Sequence, residues 1–597
     1  MNSISNLESL PDEILLELCK YLLCVDVLLS FDNLNTRMTC MINDYYHHVS
    51  LHKASYTQFS ELCSTILPKI GAHIQTLIID NCYSALQAIA FPKYFQNSMA
   101  ECFPELQKIT LISFRPDPLL AFLKILHNLE KLHTIDKRSL FRVPTNQQTE
   151  VLLALLQANN NRLKSVYIDD QSSPLNPIKK YLPKQITCSN IIDLKIEIST
   201  VCDLSVLLLI LPNIITLSVS IHKKDNLDNI NRIFPSYKLN FLTKFQLKSV
   251  ERSWRLHELI ILFEKLPTIK YLSLNLRTSD STLTNGQILK TCLPNTIEEF
   301  HYAIHYLPEQ TLEYFEILDT WKYKCPITCL YNNMQNDYMY LHTLPYSSFN
   351  YLEISSSVAE SILKNKNSYE NIQRIHVDCD FTLAEAFPIL SYCRRVKHSM
   401  IWLHGTDTNN QLSGNSVARQ TQQEKKNSLP IMLRLLRLTL VGSVPKDLHH
   451  MTKILLVAPN LFRLDLNYTT LFFLLDHEDA CLLLQRRITA LSINHMPHCS
   501  INGRQHISRI ASIFLHLRHL YIDMRSLDKT IDLMVLCYFD EFSKQNAPLI
   551  SLCADGRPSN EMKNDAEKWL IDHRNHLQHK QFTAYFNDKA GRLLIWM

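Results

Sequence analysis

Glycine is nearly missing from this chain: eight residues in 597, against an average usage of roughly 7%. The closest pair, Gly405 and Gly414, stands nine residues apart. Loops that cradle phosphates need clustered glycines, because the backbone must approach the ligand and adopt positive φ. Neither a G-x-x-x-x-G-K-[ST] loop nor a G-x-G-x-x-G turn can be written anywhere in the sequence. The G-x-S-x-G nucleophile elbow and the H-E-x-x-H zinc motif are absent as well. These absences argue against nucleotide chemistry, and no cofactor is expected.

Charge of one sign is also scarce. The formal net charge is +4 over 597 residues, and the basic residues are scattered, with short pairs such as Lys223-Lys224 and Arg486-Arg487. That is too slight an excess to imply nucleic acid or an anionic membrane as partner. Long apolar runs are missing too: Val206 to Leu211, for example, stops at Pro212, far short of the roughly 18 residues a membrane helix needs. The opening MNSISNLESLPDE lacks the basic and apolar regions of a signal peptide, so a cytoplasmic or nuclear location is expected. Seventeen cysteines occur singly without framework spacing, as small buried hydrophobes do in a reducing compartment. Hydrophobic residues make up 46% and charged residues 20%, which is globular composition.

What fills the chain is a repeat. A strand-like pattern, apolar-x-x-apolar-x-apolar, reads IQTLII at Ile74, LQKITL at Leu106, LKSVYI at Leu163, IIDLKI at Ile191, IITLSV at Ile214 and LTKFQL at Leu242. It continues as IKYLSL at Ile269, IEEFHY at Ile297, FNYLEI at Phe349, IQRIHV at Ile372, LLRLTL at Leu435, LFRLDL at Leu461, ITALSI at Ile488 and LRHLYI at Leu517. From Leu163 to Ile297 the steps are 28, 23, 28, 27 and 28 residues, and from Leu435 to Leu517 they are 26, 27 and 29. Several strands follow an apolar residue and Pro, as in FPELQKITL, LPNIITLSV, LPTIKYLSL and APNLFRLDL. Amphipathic stretches such as Trp254 to Leu266 lie between strands.

This pattern resembles the leucine-rich repeat, whose period is about 20 to 29 residues. The resemblance implies an α/β solenoid of short parallel strands with helices on the convex side, in which no unit is stable alone. The family's Asn or Cys at the ninth position is met here only by Cys82; Phe114, His222, Arg277 and Ser443 stand at equivalent places. An irregular array without an asparagine ladder is therefore expected, spanning residues 74–547 after a linker or cap at 51–73. The 52-residue step from Ile297 to Phe349 is expected to hide one degenerate unit, and VKHSMI near Val396 another. The polar stretch from Gly405 to Ser428 has the composition of a flexible loop. In the tail, residues 548–597, QFTAYFNDKAGRLLIWM alternates about a turn and is expected to form a hairpin, either capping the last repeat or folding across the concave surface.

The amino end reads LPDEILLELCKYLLCVDVLLSFDNLNTR from Leu10 to Arg37. Apolar residues at Leu10, Ile14, Leu15, Leu18 and Leu22 share one helix face. Pro11 suits a helix start, and Asp12 and Glu13 complement its dipole. Residues 1–50 resemble the F-box, a three-helix motif: the match rests on Leu10-Pro11, the two acids, the apolar face, Asp26 beside a second apolar helix from Val27, and Asn35-Thr36-Arg37 leading into a third. Met38 stands where the family often has Trp. The resemblance implies a bridging protein. A Skp-type adaptor and its cullin would dock on Leu10, Pro11, Ile14, Leu15, Leu18, Leu22, Val27, Leu28 and Phe31, and the repeats would hold a protein for ubiquitination. The other reading is a non-catalytic interaction scaffold whose amino-terminal helices only cap the array.

No catalytic residue stands out among 25 His and 17 Cys. His495, His498 and Cys499, and Cys325 with Cys329, are the nearest approaches to a ligand cluster, and neither has paired C-x-x-C spacing. No metal site and no enzymatic activity are expected.

Overall fold

In the computed structural model of the chain, the residues described are 10–32, 34–42, 46–83, 86–138, 143–169, 174–175, 187–223, 239–307, 317, 319–321, 327–332, 338–343, 351–354, 369, 372–377, 390, 392–403, 431–442, 448–494, 503–525, 530–544, 549–574, 577, 581–588 and 591–597. They fall into two compact units, Met1–Phe300 with Trp596–Met597, and His301–Ile595.

The first unit opens with three short helices, α1 (Asp12–Cys19), α2 (Cys24–Phe31) and α3 (Thr36–Met41). Extended Pro11 precedes α1, and Asp12 and Glu13 occupy its first turn, where carboxylates meet the positive end of the dipole. The Asn35 side chain caps α3 by accepting from the Met38 amide at 2.8 Å. Arg37 then ties α3 to the start of α1, donating to the Leu10 carbonyl at 2.6 Å and to Asp12 at 2.8 Å. Helix α2 buries Val25, Val27, Leu28 and Phe31 and packs on the first strand. Its Asp26 accepts from Gln58 at 2.9 Å, in α4 (Tyr56–Glu61), which Ser55 closes with a capping box.

Parallel strands follow in chain order: β1 (His48–Ser50), β2 (Thr76–Asp80), β3 (Lys108–Ile112), β4 (Thr134–Arg138), β5 (Ser165–Ile168), β6 (Asp193–Ile198), β7 (Thr216–Ile221), β8 (Lys244–Ser253) and β9 (Tyr271–Thr278). Each pairs in parallel with the next. The register stacks Val49, Leu77, Ile109, Ile135, Val166, Leu194, Leu217, Phe245 and Leu272 into one buried row. Connecting helices cover that side; Leu256–Glu264, for instance, buries Leu259, Leu262 and Phe263. Strand, loop and helix thus repeat as an α/β stack compatible with a leucine-rich-repeat solenoid.

A side-chain ladder does run between turns, one residue before the first apolar residue of the motif rather than at the ninth position. Asn213 donates to the Ser189 carbonyl at 3.0 Å, Thr268 to Asn240 and Leu242, and Thr296 to Ile269 at 2.7 Å. Asn190 reaches Asn161 in the same way. Each rung satisfies carbonyls of the preceding turn. Lys137 interrupts the apolar rows: it lies between Leu111 and Ile168 and is fully buried. Burial pushes its amine down to about 8, although Asp169 and Glu197 act to raise it. The unit also takes in Trp596 and Met597. The buried Trp596 indole donates to the Ala54 carbonyl at 3.0 Å and lies edge-on to Tyr56 and tilted against Phe59, while the Tyr56 amide donates to the Met597 carbonyl at 2.8 Å.

The second unit begins within β10 (Glu299–Tyr306) and continues with β11 (Ile327–Asn332), β12 (Tyr338–Thr343), β13 (Tyr351–Ile354), β14 (Arg374–Val377), β15 (His398–Leu403), β16 (Arg437–Gly442), β17 (Arg463–Asn467), β18 (Ala490–Asn494), β19 (His519–Asp523), β20 (Ser551–Asp555), β21 (Thr583–Asn587) and β22 (Arg592–Trp596). Strands β13 to β20 are parallel in chain order. The strand expected at VKHSMI is β15. Among the described residues between Ile297 and Phe349, no parallel strand of a further repeat unit appears. Instead β12 runs antiparallel to both β10 and β11. The five residues between Asn332 and Tyr338 can close a hairpin but are too few for a parallel crossover of a dozen or more. The tail forms the expected hairpin pair, β21 beside β22, with β22 next to β20. Residues 405–428 lie outside those described.

Candidate functional site: an exposed apolar ridge

Helix α1 has two apolar faces. Leu15 and Cys19, one helical turn apart, are buried against the rest of the unit. Ile14, Leu18 and Leu22 follow the same four-residue step one position earlier and remain 49%, 44% and 46% exposed. Tyr21 and Leu34 are more exposed still, at 81% and 53%. Single exposed aliphatic residues are ordinary on protein surfaces; here Ile14 and Leu18 lie one turn apart on α1, and Leu22 follows three residues beyond its end. Removing the exposed half of each ridge side chain from water contributes about 1 kcal/mol apiece. Ion pairs flank the ridge, Glu17 with Lys20 at 2.5 Å and Asp12 with Arg37 at 2.6 Å.

The expected adaptor-docking set is therefore divided. Pro11, Ile14, Leu18 and Leu22 are exposed and Leu10 is half-buried. Leu15, Val27, Leu28 and Phe31 are not available to a partner, because they are buried within the chain itself. The reason lies in α2, whose apolar residues cover β1 and α4 and leave little of the helix facing water. Tyr21 and Leu34 belong to the exposed surface and were not in the set; the signal for Tyr21 was its place between Leu18 and Leu22.

The other extended surface is the side of each sheet turned away from the helices. The residue just before the second apolar position of each motif falls in one aligned row. In the first unit that row is mixed: His48, Thr76, Lys108, Thr134, Ser165, Asp193, Thr216, Lys244 and Tyr271. Neighbours neutralise one another there, as where Tyr167 donates to Asp193 at 2.5 Å and Lys244 lies over the Tyr271 ring at 4.4 Å. In the second unit the corresponding row from β14 to β17 is Arg374, His398, Arg437 and Arg463. Aligning IQRIHV, VKHSMI, LLRLTL and LFRLDL on their fourth residue, which is Ser399 in VKHSMI, would have exposed it.

No family model matches the chain, and no curated protein matches it. Among solved structures it is similar to the TLR13–ssRNA13 complex, with 12% identity and a TM-score of 0.22, over 82% of this chain and 60% of that one. The chain thus spans about 60% of the length of the structure it matches.

The thiols that depart from their ordinary value all move up. Burial raises Cys19, Cys24 and Cys63, takes Cys188 to about 11 and Cys393 to about 12. These thiols stay protonated and are poor nucleophiles at neutral pH. Among the described residues no three His, Cys, Asp or Glu come together as metal ligands. The candidates His495, His498, Cys499 and Cys325 lie outside those residues, as does the side chain of Cys329. No described helix is long and apolar enough to cross a membrane.

Proposed function

We propose that the chain is a bridging protein in which the α1 ridge docks a Skp-type adaptor of a cullin ubiquitin ligase and the repeats hold a protein to be modified. One observation carries this reading: Ile14, Leu18 and Leu22 face water while Leu15, Cys19 and the whole apolar face of α2 anchor the same helices to the sheet. A cap that served only to cover the sheet would turn its apolar residues inward, as α2 does. The mechanism is proximity. A target held on the repeats experiences a high local concentration of the ubiquitin-loaded enzyme, and the chain itself makes or breaks no bond.

The burial of Val25, Val27, Leu28 and Phe31 against β1 favours a second reading, a scaffold whose amino-terminal helices only cap the array. Co-purification separates the two. The full chain and an Ile14→Asp/Leu18→Asp variant are recovered from cells and probed for adaptor and cullin. Capture of both by the parent and neither by the equally stable variant is the expected result. Adaptor missing from the parent, or retained by the variant, leaves the scaffold.

A further inference from the structure

The row formed by β14 to β17 contrasts with the mixed row of the first unit. Strands pair in register so that Arg374, His398, Arg437 and Arg463 are successive neighbours, about 4.8 Å apart and about 14 Å end to end. Alternate residues Ile375, Leu438, Leu440, Leu464 and Leu466 point to the buried side. The basic row therefore lies on the opposite face, with His376, Met400, Thr439 and Asp465 in the row beside it. Met400 is 38% exposed.

Asp465 organises the row. It is buried and binds two guanidinium groups, Arg437 at 2.6 Å and Arg463 at 3.1 Å, with Thr439 donating a third bond at 3.2 Å. The two arginines are held in place by one carboxylate, so little rotamer entropy is left to lose on binding. The charges acting on His398 are all cationic: Arg374, Arg437, Arg463 and Lys397. Together with burial they push its imidazole down to about 4, so it stays neutral and can accept or donate one bond beside the arginines.

We propose that this row is a docking surface for an acidic, extended segment of a protein partner, with side-chain carboxylates seated on Arg374 and Arg437. An extended peptide presents alternate side chains about 7 Å apart, a spacing that guanidinium arms rooted two strands apart, about 10 Å, can close upon. Arg favours carboxylate because its planar fork makes paired bonds. Single-stranded nucleic acid is the poorer match. Its binding surfaces run along a long basic groove, whereas this row spans only about 14 Å and the chain's net charge is only +4.

The proposal rests on the reading that the repeats hold a protein target, and its test needs no adaptor. Purified full-length chain is titrated by fluorescence anisotropy with a short labelled peptide of alternating Asp and Glu, with its Asn/Gln counterpart, and with an unstructured RNA of equal charge. Arg374→Glu is compared with Arg486→Glu, which makes the same change in net charge at an exposed position in the helix Glu478–Arg487; Arg374→Gln stands in if the reversal fails to fold. The expected result is saturable binding of the acidic peptide alone, weakened about tenfold or more by Arg374→Glu and unchanged by Arg486→Glu. No saturable binding of the acidic peptide, equal loss in both variants, or tighter binding of RNA overturns the proposal. Adaptor capture is scored separately, so a chain that binds the peptide and no adaptor loses only the ligase reading.

Discussion

Replacing Trp596 by Ala tests whether a residue far along the chain holds the segment beneath the amino-terminal helices. The indole is fully buried, donates to the Ala54 carbonyl at 3.0 Å, and packs with centroids 5.0 Å from Phe59 and 5.3 Å from Tyr56. Truncating a buried Trp costs roughly 3–5 kcal/mol, the spread reflecting how far the site can collapse. Trp596→Phe keeps most of the apolar area and gives up the bond to Ala54, so about 1–2 kcal/mol is expected for it. A chain with two compact units is not a two-state system, and one melting temperature would mix their transitions. Hydrogen exchange read by mass spectrometry resolves the segment instead. Peptides covering α4 and residues 62–70 should exchange about 100-fold faster or more in Trp596→Ala, since each 1.4 kcal/mol is a factor of ten, and peptides from β5 to β9 serve as the internal reference. If α4 exchanges at the parent rate while the variant is otherwise intact, the indole contributes nothing there and the packing account is wrong.

Lys137 predicts a pH dependence with a definite sign. Its folded-state value lies below that of the unfolded chain, so between about pH 8 and the ordinary lysine range the unfolded state binds more protons, and stability rises with pH. Hydrogen exchange of peptides from β3 to β5 at stepped pH, corrected for the intrinsic rate at each pH, should show that rise in the parent and a flatter line in Lys137→Met. Asp465→Ala leaves Arg437 and Arg463 largely buried without their shared carboxylate and is expected to cost about 3–5 kcal/mol, read as earlier unfolding of β16 to β18 by exchange. The two arginines hold the Asp465 carboxyl below its usual range against the opposing effect of burial. The stabilisation is therefore present at neutral pH and is lost as pH falls through the lowered value; Asp465→Ala should remove that acid-side loss.

Much of the fold could be read from spacing. Every stretch matching the apolar motif contains or leads into a strand, because a period-2 core pattern at a 27-residue step has few other ways to bury itself. The strands that escaped were those whose apolar positions are filled by atypical residues. In β4 the third position is Lys137, in β1 the first is Tyr46, and in β20 the third is Ala554. A buried lysine cannot be foreseen from its own letter, since what keeps it inside is the surrounding stack. The antiparallel β11 and β12 were hidden for a different reason: strand direction depends on connection length, which the motif does not encode. The ridge was half legible. Helical spacing grouped Ile14, Leu18 and Leu22, but could not say that Leu15, one position on, belongs to an inward face, or that α2 would spend most of its apolar surface on β1 and α4. The basic row was present in the letters at equivalent motif positions. Only the register shows that those positions touch.

The divided character of α1 has a consequence for how this chain behaves in solution. A row of aliphatic side chains left wet is sticky toward any similar row, and the most concentrated such row in a pure sample is the one on another copy of the same molecule. Orphaned chains should therefore self-associate as their concentration rises, and a polar change at Leu18 should improve their solubility while leaving the interior untouched.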